Sequence, residues 1–497
     1  MASDVNSKTA RGVAWISGAR IATKALNFFE FLILARLLAP QYFGLVAIAD
    51  LAINALQLFQ ELGFGAALIY RKDRVREAAS TAHWLIITSS TLLFLIAFAA
   101  AGPIARLFSN EPGDALQVIP ILRVLAFTMV LDSISQVALV MMAKELDFGR
   151  KVIPEVVTQV GGAVLTLSLA LSGVGVWSIV WGRIFEAASL AMVIWFFTRW
   201  RPAFRLDPGL AREMFAYAKH IGGSQILVFF ITNIDDAFVA RINGAAALGL
   251  YGLAYKLSNM PATEISKVVA QVTFPAFATV QDDLQRLRRA FLKTTRLVSL
   301  LSIPVSICII TFADDFIRNA YGIRWEGAIL PLQLMGVYGL LRSVAVNMGS
   351  ILKAGGKPQW LMGIATWRLA TMALLLYPAA RFWGIVGVSA LSAAVSIADF
   401  FISAHLTNKI AATSWGDWLR IIGPPLALSL VAAPVAKIVY RAVLQPLPKS
   451  AALPMAGVCF FAVYGTMLLS LDRETRDLLL GLWRTFQARR RPAVVGS

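Results

Sequence analysis

The feature that most constrains this sequence is a succession of apolar segments, each about 20 residues long, separated by Gly, Pro and charged clusters. A segment of that length fits one helical crossing of a bilayer, where only helices and closed barrels satisfy the backbone. Fourteen segments are expected, and the first six span 12–36, 42–62, 80–103, 117–142, 155–175 and 176–198. The next six span 214–240, 247–273, 291–317, 327–352, 359–380 and 383–408, and a last pair spans 419–441 and 450–471. The predicted fold class is all-α, a polytopic membrane protein whose short connections leave no room for an external catalytic domain.

The charge of the chain needs a separate explanation, because only 15% of its residues are charged and yet its formal net charge is +18. Soluble domains carry about 25% charged residues, so the composition excludes a soluble enzyme, a disordered chain and a coiled coil. A basic soluble protein would suggest nucleic-acid binding, whereas a membrane protein keeps lysine and arginine in its cytoplasmic loops. In alternate loops, 27 of the 46 basic residues fall on the side of the N-terminus and 8 on the other. Residues 1–11 and the basic tail 472–497 are therefore expected in the cytoplasm, and nucleic-acid binding is not expected.

An internal repeat is visible at a constant offset of 205 residues. The offset pairs Gly18 with Gly223, Ala35-Arg36 with Ala240-Arg241, Gly44-Leu45 with Gly249-Leu250, Ala49 with Ala254, and Asn54 with Asn259. Because it covers six segments, an even number, the two halves are expected to share one topology around an axis along the membrane normal. The sequence thus predicts two pseudo-symmetric six-helix lobes around a central cleft, 12–198 and 214–408, followed by an additional helix pair at 419–471.

Apart from the basic residues counted with the loops, some of which stand at segment ends, eleven fall inside the predicted segments. Each would cost roughly 2.5–3.5 kcal/mol near the centre of a bilayer, and ten of them facing lipid would exceed the usual stability of a protein, roughly 5–15 kcal/mol. Most must therefore face a hydrated interior. These cations are Arg20, Lys24, Arg123, Arg183, Lys219, Lys256, Lys267, Arg296, Arg342, Arg368 and Lys437.

Polar faces at helical spacing mark three of the predicted helices. The first helix carries a cationic stripe that consists of Arg20 and Lys24, with Asn27. This stripe is either an anion-binding surface or a pair of basic side chains that reach the membrane surface. The second helix carries an acidic face and its repeat partner a basic face. The acidic face consists of Asp50, Asn54, Gln57 and Glu61, and the basic face of Lys256, Asn259, Thr263 and Lys267. The two faces either pair across the cleft in one transport state or are satisfied within their own lobes.

Further charges lie mainly in the second lobe. They are the cations Lys219, Arg296, Arg342 and Arg368 and the acids Asp235, Asp236, Glu264 and Asp399. Two pairs at a spacing of three, Arg183 with Glu186 and Glu264 with Lys267, are expected to satisfy each other and to have a structural role. The roles of Arg123 and Asp132 are left open.

Sequence signals for catalysis, metal ions and cofactors are missing. There is no G-x-x-x-x-G-K-[ST] motif, and His83, His220 and His405 have no ligand spacing. Both cysteines, Cys308 and Cys459, lie in apolar segments and are expected to be buried. We therefore expect no enzyme activity, no catalytic residues, no metal site and no cofactor.

The elbow between the first two segments carries a family resemblance. It reads LARLLAPQYFGLVAIAD at 34–50 and is followed by ELGFGAALIYRKD at 61–73. These residues resemble the N-terminal signature of polysaccharide-transport proteins, the lipid-linked oligosaccharide flippases of the multidrug/oligosaccharidyl-lipid/polysaccharide exporter superfamily. The resemblance implies two six-helix lobes around a cleft that opens alternately to each side of the bacterial inner membrane. It also implies a sugar repeat unit on undecaprenyl pyrophosphate as the substrate, with membrane lipids, a polysaccharide polymerase and glycosyltransferases as partners.

Such a flippase needs interior cations, because a diphosphate carrying a glycan cannot cross about 30 Å of hydrocarbon unaided. The candidate phosphate contacts are Arg20, Lys24, Lys219, Lys256, Arg296 and Arg342. The candidate polar cleft or ion-coupling residues are Asp50, Asn54, Glu61, Asn259, Lys267, Asp235 and Asp236. Two alternatives stay open, a drug/cation antiporter of the same superfamily and a polytopic glycan polymerase or ligase that uses the same lipid donor.

Overall fold

The computed structural model of the protein consists of helices and short connections, as the all-α prediction requires. It describes residues 18, 22–61, 64–109, 111–145, 147–266, 269, 273, 277, 279–280, 283–444, 447–472 and 476. No strand occurs among these residues. The first half contains α1 (22–37), α2 (Pro40–Glu61), α3 (Phe64–Tyr70), α4 (Val75–Ala99), α5 (Ala101–Phe108), α6 (Pro112–Leu125), α7 (Phe127–Lys144), α8 (Phe148–Leu171) and α9 (Val176–Phe197).

The second half contains longer helices joined by short irregular turns. They are α10 (Pro208–Ser258), α11 (Leu284–Phe316), α12 (Ile329–Ala354), α13 (Pro358–Ala411), α14 (Trp415–Val439) and α15 (Lys449–Leu471). π-Helical turns lie at Pro261–Ser266, Ile317–Tyr321 and Tyr440–Leu444, and a 3₁₀ turn lies at Ile323–Ala328.

Local sequence sets several of the helix starts. Pro112 and Pro358 stand in the first turns of α6 and α13, where the missing N–H has no helical partner to lose. Ser414 and Asp417 form a capping box at the start of α14, in which each side chain accepts a backbone N–H from the other residue. These signals explain why α6, α13 and α14 begin at or shortly before the first residue of an expected apolar segment.

Two glycines interrupt the longest helices. Gly244 within α10 has φ 87°, and Gly384 within α13 has φ 58°. Residues with a side chain rarely adopt this conformation, so glycine permits the break. The breaks fall between the predicted segments 214–240 and 247–273, and between 359–380 and 383–408, which agrees with the expected division.

Eleven helices within the described residues are long and apolar enough to cross a membrane. One of them, Pro358–Ala411, has 54 residues and contains the break at Gly384. At 1.5 Å per residue it is about 80 Å long, which is enough for two crossings of a hydrocarbon core about 30 Å thick. The chain is a multi-pass membrane protein, and the count of fourteen crossings stays a prediction.

Packing divides the chain into two compact units. The first comprises Met1–Gly252 and Met372–Val388, and the second comprises Leu253–Thr371 and Ser389–Ser497. Within the first unit α8 packs along α9, and α7 packs against α4 and α9. Within the second unit α11 packs against α12 and α14, and α14 packs against α15. The lobes 12–198 and 214–408 and the pair 419–471, which follow the sequence repeat, remain predictions.

A close helix crossing in the first unit joins residues that the repeat relates. A Cβ placed on Gly44 of α2 would lie 1.7 Å from the carbonyl oxygen of Ala245 in α10. A Cβ placed on Gly249 would lie 2.0 Å from the carbonyl oxygen of Pro40. The offset of 205 maps Gly44 onto Gly249 and Pro40 onto Ala245, so the two contacts are reciprocal. Small residues permit this backbone approach, as they do between many membrane helices.

The connection between α9 and α10 folds back onto the start of α4. Trp84 donates its indole N–H to the carbonyl oxygen of Ala203 at 2.9 Å, and its ring stacks on Phe204. Arg74 donates to Asp207 at 2.9 Å, and Asp207 also accepts the backbone N–H of Leu210 at 3.1 Å. These contacts hold the linker between the predicted lobes against the first unit.

Candidate functional site

A polar cavity of about 300 Å³ lies within the first unit, between α2, α6, α7 and α9. Its charged and polar lining residues are Asp50, Asn54, Gln57, Thr128, Asp132, Arg183 and Glu186. Three carboxylates and one guanidinium therefore share a small volume among apolar helices. We call these four charged residues the acidic cluster: Asp50, Asp132, Arg183 and Glu186.

The central contact of the acidic cluster is an ion pair between Arg183 of α9 and Asp50 of α2. Arg183 also interacts electrostatically with Glu186 and with Glu30 of α1. Arg183 thus interacts with Glu186, as expected, and also with Asp50, which is 133 positions away in the chain. In this structure Asp50 is paired within its own lobe, and the pairing of the two faces across the cleft in one transport state stays a prediction.

A second charged cluster lies in the interior of the second unit. Arg342 of α12 donates through Nη1 to the hydroxyl of Tyr338 and, at 3.4 Å, to that of Tyr255. Arg368 lies 3.7 Å from Asp399 of α13, and Asp399 accepts the hydroxyl of Ser403 at 3.2 Å. Asp399 also interacts electrostatically with Arg342. We call these residues the basic cluster: Tyr255, Tyr338, Arg342, Arg368, Asp399 and Ser403.

The two clusters occupy corresponding places in the sequence repeat. Tyr255 is the counterpart of Asp50 at the offset of 205 residues. Asp132 and Arg342 lie on the fourth predicted segment of their lobes, and Arg183 and Asp399 lie on the sixth. The second, fourth and sixth segments of each lobe thus contribute to a polar centre, and in the second unit Arg368 is added from the fifth segment. Carboxylates predominate in the first centre and guanidinium groups in the second.

The other predicted site residues are distributed more widely. Lys24 and Lys256 are exposed on α1 and α10, and Asn54 lines the polar cavity. Asn259 is buried, and Asp235 is buried with its Oδ2 accepting the hydroxyl of Tyr251 at 2.6 Å. Asp236, the neighbour of Asp235 on α10, is half-buried. Arg20 and Lys267 lie outside the described residues, as do the side chains of Glu61 and Lys219.

Arg296 is engaged by the C-terminal helix. Its Nη2 donates to both carboxylate oxygens of Asp472, at 2.7 and 2.8 Å, and both side chains are largely buried. From Arg296 to the end of α11 at Phe316 the helix is about 30 Å long, which equals the thickness of a hydrocarbon core. The part of α11 before Arg296 is thus not needed for one crossing, and the contact of Arg296 with Asp472 attaches the end of α15 to α11.

Two further cations of the predicted segments also have protein partners. The guanidinium of Arg123 lies 4.9 Å from the ring centre of Phe98 and donates to that residue's carbonyl oxygen. Lys437 of α14 pairs with Asp315 of α11. These contacts are local and give no indication of a ligand.

Sequence reasoning did not single out the two tyrosines that accept hydrogen bonds from Arg342, and it left the role of Asp132 open. A signal for Tyr255 was present, because the repeat aligns it with Asp50. The spacing of Tyr338 and Arg342, four residues apart on one helix, was a second signal. Neither spacing reveals that Tyr255 and Arg342, 87 positions apart, converge on the same point.

Comparisons with known proteins agree on a family and a fold. The sequence profile of a family described as polysaccharide biosynthesis protein matches residues 33–330. The teichuronic acid biosynthesis protein TuaB of Bacillus subtilis is 26% identical over 430 residues, covering 84% of this chain and 86% of that protein. The succinoglycan biosynthesis transport protein ExoT of Rhizobium meliloti is 24% identical over 499 residues, covering 99% of each. Among solved structures, the lipid II flippase MurJ in an inward closed conformation matches 94% of this chain and 100% of its own, with a TM-score of 0.71 and 12% identity. At that identity the structural likeness concerns the fold alone.

Proposed function

This chain belongs to the family of polysaccharide biosynthesis proteins, and we propose that it is a flippase that translocates lipid-linked oligosaccharides across a membrane. The family match confirms the resemblance at residues 34–50. The relatives include a transport protein for succinoglycan biosynthesis, and the fold is shared with a lipid II flippase. The chain is accordingly a transporter and not an enzyme.

The observation that carries the proposal is the presence of charged clusters inside apolar helical units. A diphosphate and a sugar chain are both strongly hydrated, so a path through hydrocarbon must replace their water with polar groups. Arg183 with Asp50 in the first unit, and Arg342 with Asp399 in the second, provide such groups on helices that are apolar enough to cross a membrane. Ionisable residues within membrane helices typically mark the path of a substrate or an ion.

The finer features of the proposal follow from the family resemblance and, for the termini, from the distribution of charges. The carrier is undecaprenyl pyrophosphate, the membrane is the bacterial inner membrane, and both termini lie in the cytoplasm, as the distribution of lysine and arginine favours. Transport proceeds by alternating access. The product is the substrate of a polysaccharide polymerase, and glycosyltransferases supply the lipid-linked unit.

Roles for the candidate residues follow from their surroundings. Lys24 and Lys256, exposed on α1 and α10, contact the diphosphate together with Arg20 and Lys219. Arg296 has a structural role, because Asp472 occupies its guanidinium. The acidic cluster binds the cation, a proton or a sodium ion, whose movement drives the cycle. The polar neighbours of these groups line the path: Asn54, Glu61, Asn259, Lys267, Asp235 and Asp236.

A translocation assay tests the proposed function. The full chain is reconstituted in liposomes that contain a fluorescent oligosaccharide on undecaprenyl pyrophosphate, and a membrane-impermeant quencher reports the glycan exposed outside. Wild-type protein should render nearly all of the probe accessible with time, whereas protein-free liposomes should plateau at about half. No translocation in correctly inserted protein would overturn the proposal.

A drug/cation antiporter is the second candidate, because the acidic cluster would also suit a cationic substrate. The same liposomes distinguish it. Uptake of a cationic dye in exchange for protons, driven by an imposed proton gradient and without movement of the lipid-linked glycan, would identify the protein as an antiporter and not as a flippase.

A further inference from the structure

The basic cluster lies between helices of the second unit. Its residues come from the second part of α10, from α12 and from both parts of α13, so several helices converge on one guanidinium. Arg342 and the two tyrosines are half-buried, neither sealed in the core nor fully exposed. A ligand within the second unit could therefore reach them.

Two tyrosine hydroxyls fix the orientation of Arg342. Both accept hydrogen bonds from the same nitrogen, Nη1, and the guanidinium carbon lies 5.5 Å from the ring centre of Tyr338. The hydrogen bonds of Arg342 within the described residues thus use one end of its planar group. The opposite edge, formed by Nε and Nη2, has the geometry that binds a carboxylate through two parallel hydrogen bonds.

The charges of the cluster favour an anion with a single charge. Arg342 and Arg368 together carry two positive charges, and Asp399 supplies one negative charge between them. A monoanion would complete the balance. A diphosphate would bring at least two negative charges and would leave an excess in surroundings where an unpaired charge is costly.

The rings of the two tyrosines provide a surface beside this anion. Tyr255 and Tyr338 lie with their ring centres 6.0 Å apart and their planes inclined by 36°. Aromatic side chains offer an apolar face and, in tyrosine, a polar end, a combination that suits the C–H faces and hydroxyl groups of a sugar.

The first unit shows that the fold does not require this arrangement. At the corresponding places the repeat carries Asp50 in place of Tyr255, and Asp132 on the helix equivalent to that of Arg342. A purely structural arginine with two tyrosines would be expected in both halves if helix packing demanded it. The cluster is a feature of the second half alone.

We propose that Arg342, Tyr255 and Tyr338 form a glycan subsite that recognises a carboxylate-bearing sugar, with the Nε and Nη2 edge of Arg342 on the carboxylate and the rings beside the sugar. The subsite rests on the proposed function and adds substrate selectivity to it. Arg342 then acts on the glycan and not on the diphosphate of the carrier. Arg368 and Asp399 are positioning residues that balance its charge.

Equilibrium binding to the full chain in lipid nanodiscs tests the subsite. Two probes are used, the same undecaprenyl pyrophosphate oligosaccharide ending in a uronic acid or in the corresponding neutral hexose. Wild-type protein should bind the acidic probe more tightly. Arg342→Gln should reduce this preference by about 10-fold to 100-fold, or about 1.4–2.8 kcal/mol, which is the usual range for a hydrogen bond to a charged group. Arg342→Lys keeps the charge without the two-pronged edge and should recover only part of the preference.

Two further variants separate recognition from folding. Tyr338→Phe keeps the ring and removes the hydroxyl that holds Nη1, so it should lower the preference less than Arg342→Gln does. Arg123→Gln removes another arginine of a membrane segment, which contacts Phe98 in the first unit, and should leave the preference unchanged.

Each other result overturns the subsite. Equal weakening of both probes by Arg342→Gln would place Arg342 on the diphosphate, and unchanged binding of both would make the cluster structural. A wild-type protein without preference would also refute it. These results concern binding, so they are distinguishable from a failure of the proposed function, which would appear as probes that bind and do not cross the membrane.

Discussion

Replacing Gly249 with alanine tests the close crossing between α2 and α10. The new Cβ would lie 2.0 Å from the carbonyl oxygen of Pro40, whereas Cβ contacts shorter than 3.0 Å are essentially never found. The neighbouring atom belongs to the backbone, so it cannot rotate away as the end of a side chain can. The two helices would have to separate by about 1 Å, and overpacking of this kind costs roughly 1–3 kcal/mol.

The measurement is the midpoint of thermal unfolding of the purified chain in detergent, with Gly252→Ala as the matched control. Gly252 lies one turn from Gly249 on the same helix, and nothing lies within 4 Å of its Cβ position. Alanine favours a helix over glycine by roughly 0.5–1 kcal/mol, so the control should unfold at the same temperature or higher. The Gly249 variant should unfold at a lower temperature.

The reciprocal contact provides a second measurement. Gly44→Ala should destabilise the protein at least as much, because its Cβ would lie 1.7 Å from the carbonyl oxygen of Ala245. Once one alanine has separated the helices, the second meets less resistance, so the double variant should lose less than the sum of the single losses. Equal midpoints for Gly249→Ala and Gly252→Ala, or additive losses, would refute the crossing.

Three other predictions concern charged groups. Alanine in place of Lys24 or Lys256 should reduce glycan translocation by about tenfold or more, since each contact of a cation with phosphate contributes roughly 1.5–3 kcal/mol; normal surface polysaccharide from both inserted variants would make these lysines structural. Arg183→Gln leaves Asp50 without its ion-pair partner and should lower the temperature of the unfolding midpoint. The expected loss in free energy of unfolding is about 1 kcal/mol, because the pair is partly exposed. Adding Asp50→Asn should restore most of the loss, and a double variant less stable than both singles would contradict the pairing. Backbone N–H groups in the first turn of α10 lower the pKa of the Asp207 carboxyl. The carboxylate therefore stabilises the fold above its unfolded pKa of about 3.9, and this contribution is lost as the pH falls through the lower folded pKa. The midpoint of unfolding, measured against pH, should show this acidic loss of stability in the wild type and not in Asp207→Asn.

Hydropathy predicted the helices well because membrane crossing imposes length and apolarity on each segment by itself. The breaks at Gly244 and Gly384 fall between predicted segments for the same reason, since both glycines stand between apolar runs. The extent of α11 was harder to predict. Its first turns, from Leu284 onward, are polar and lie before the expected segment 291–317, so only the structure shows that the helix starts there.

The candidate site could be predicted only in part. Spacing along one helix placed Asp50 on an acidic face, but the choice of Arg183 as its partner depends on packing between distant helices. The contrast between an acidic first half and a basic second half was visible on the second helix of each lobe. The groups that form the basic cluster lie mostly on other helices, so their convergence on Arg342 follows from the tertiary structure.

The reciprocal contact at Gly44 and Gly249 bears on how such a chain can evolve. After a gene duplication, each glycine is constrained by a backbone atom of the other copy, so neither position can accept a side chain without disturbing the contact. Asp50 and Tyr255 stand at equivalent positions a few residues further along and have diverged completely in charge. A duplicated scaffold can therefore keep an inherited geometry at its crossing while its two interiors acquire different chemistries.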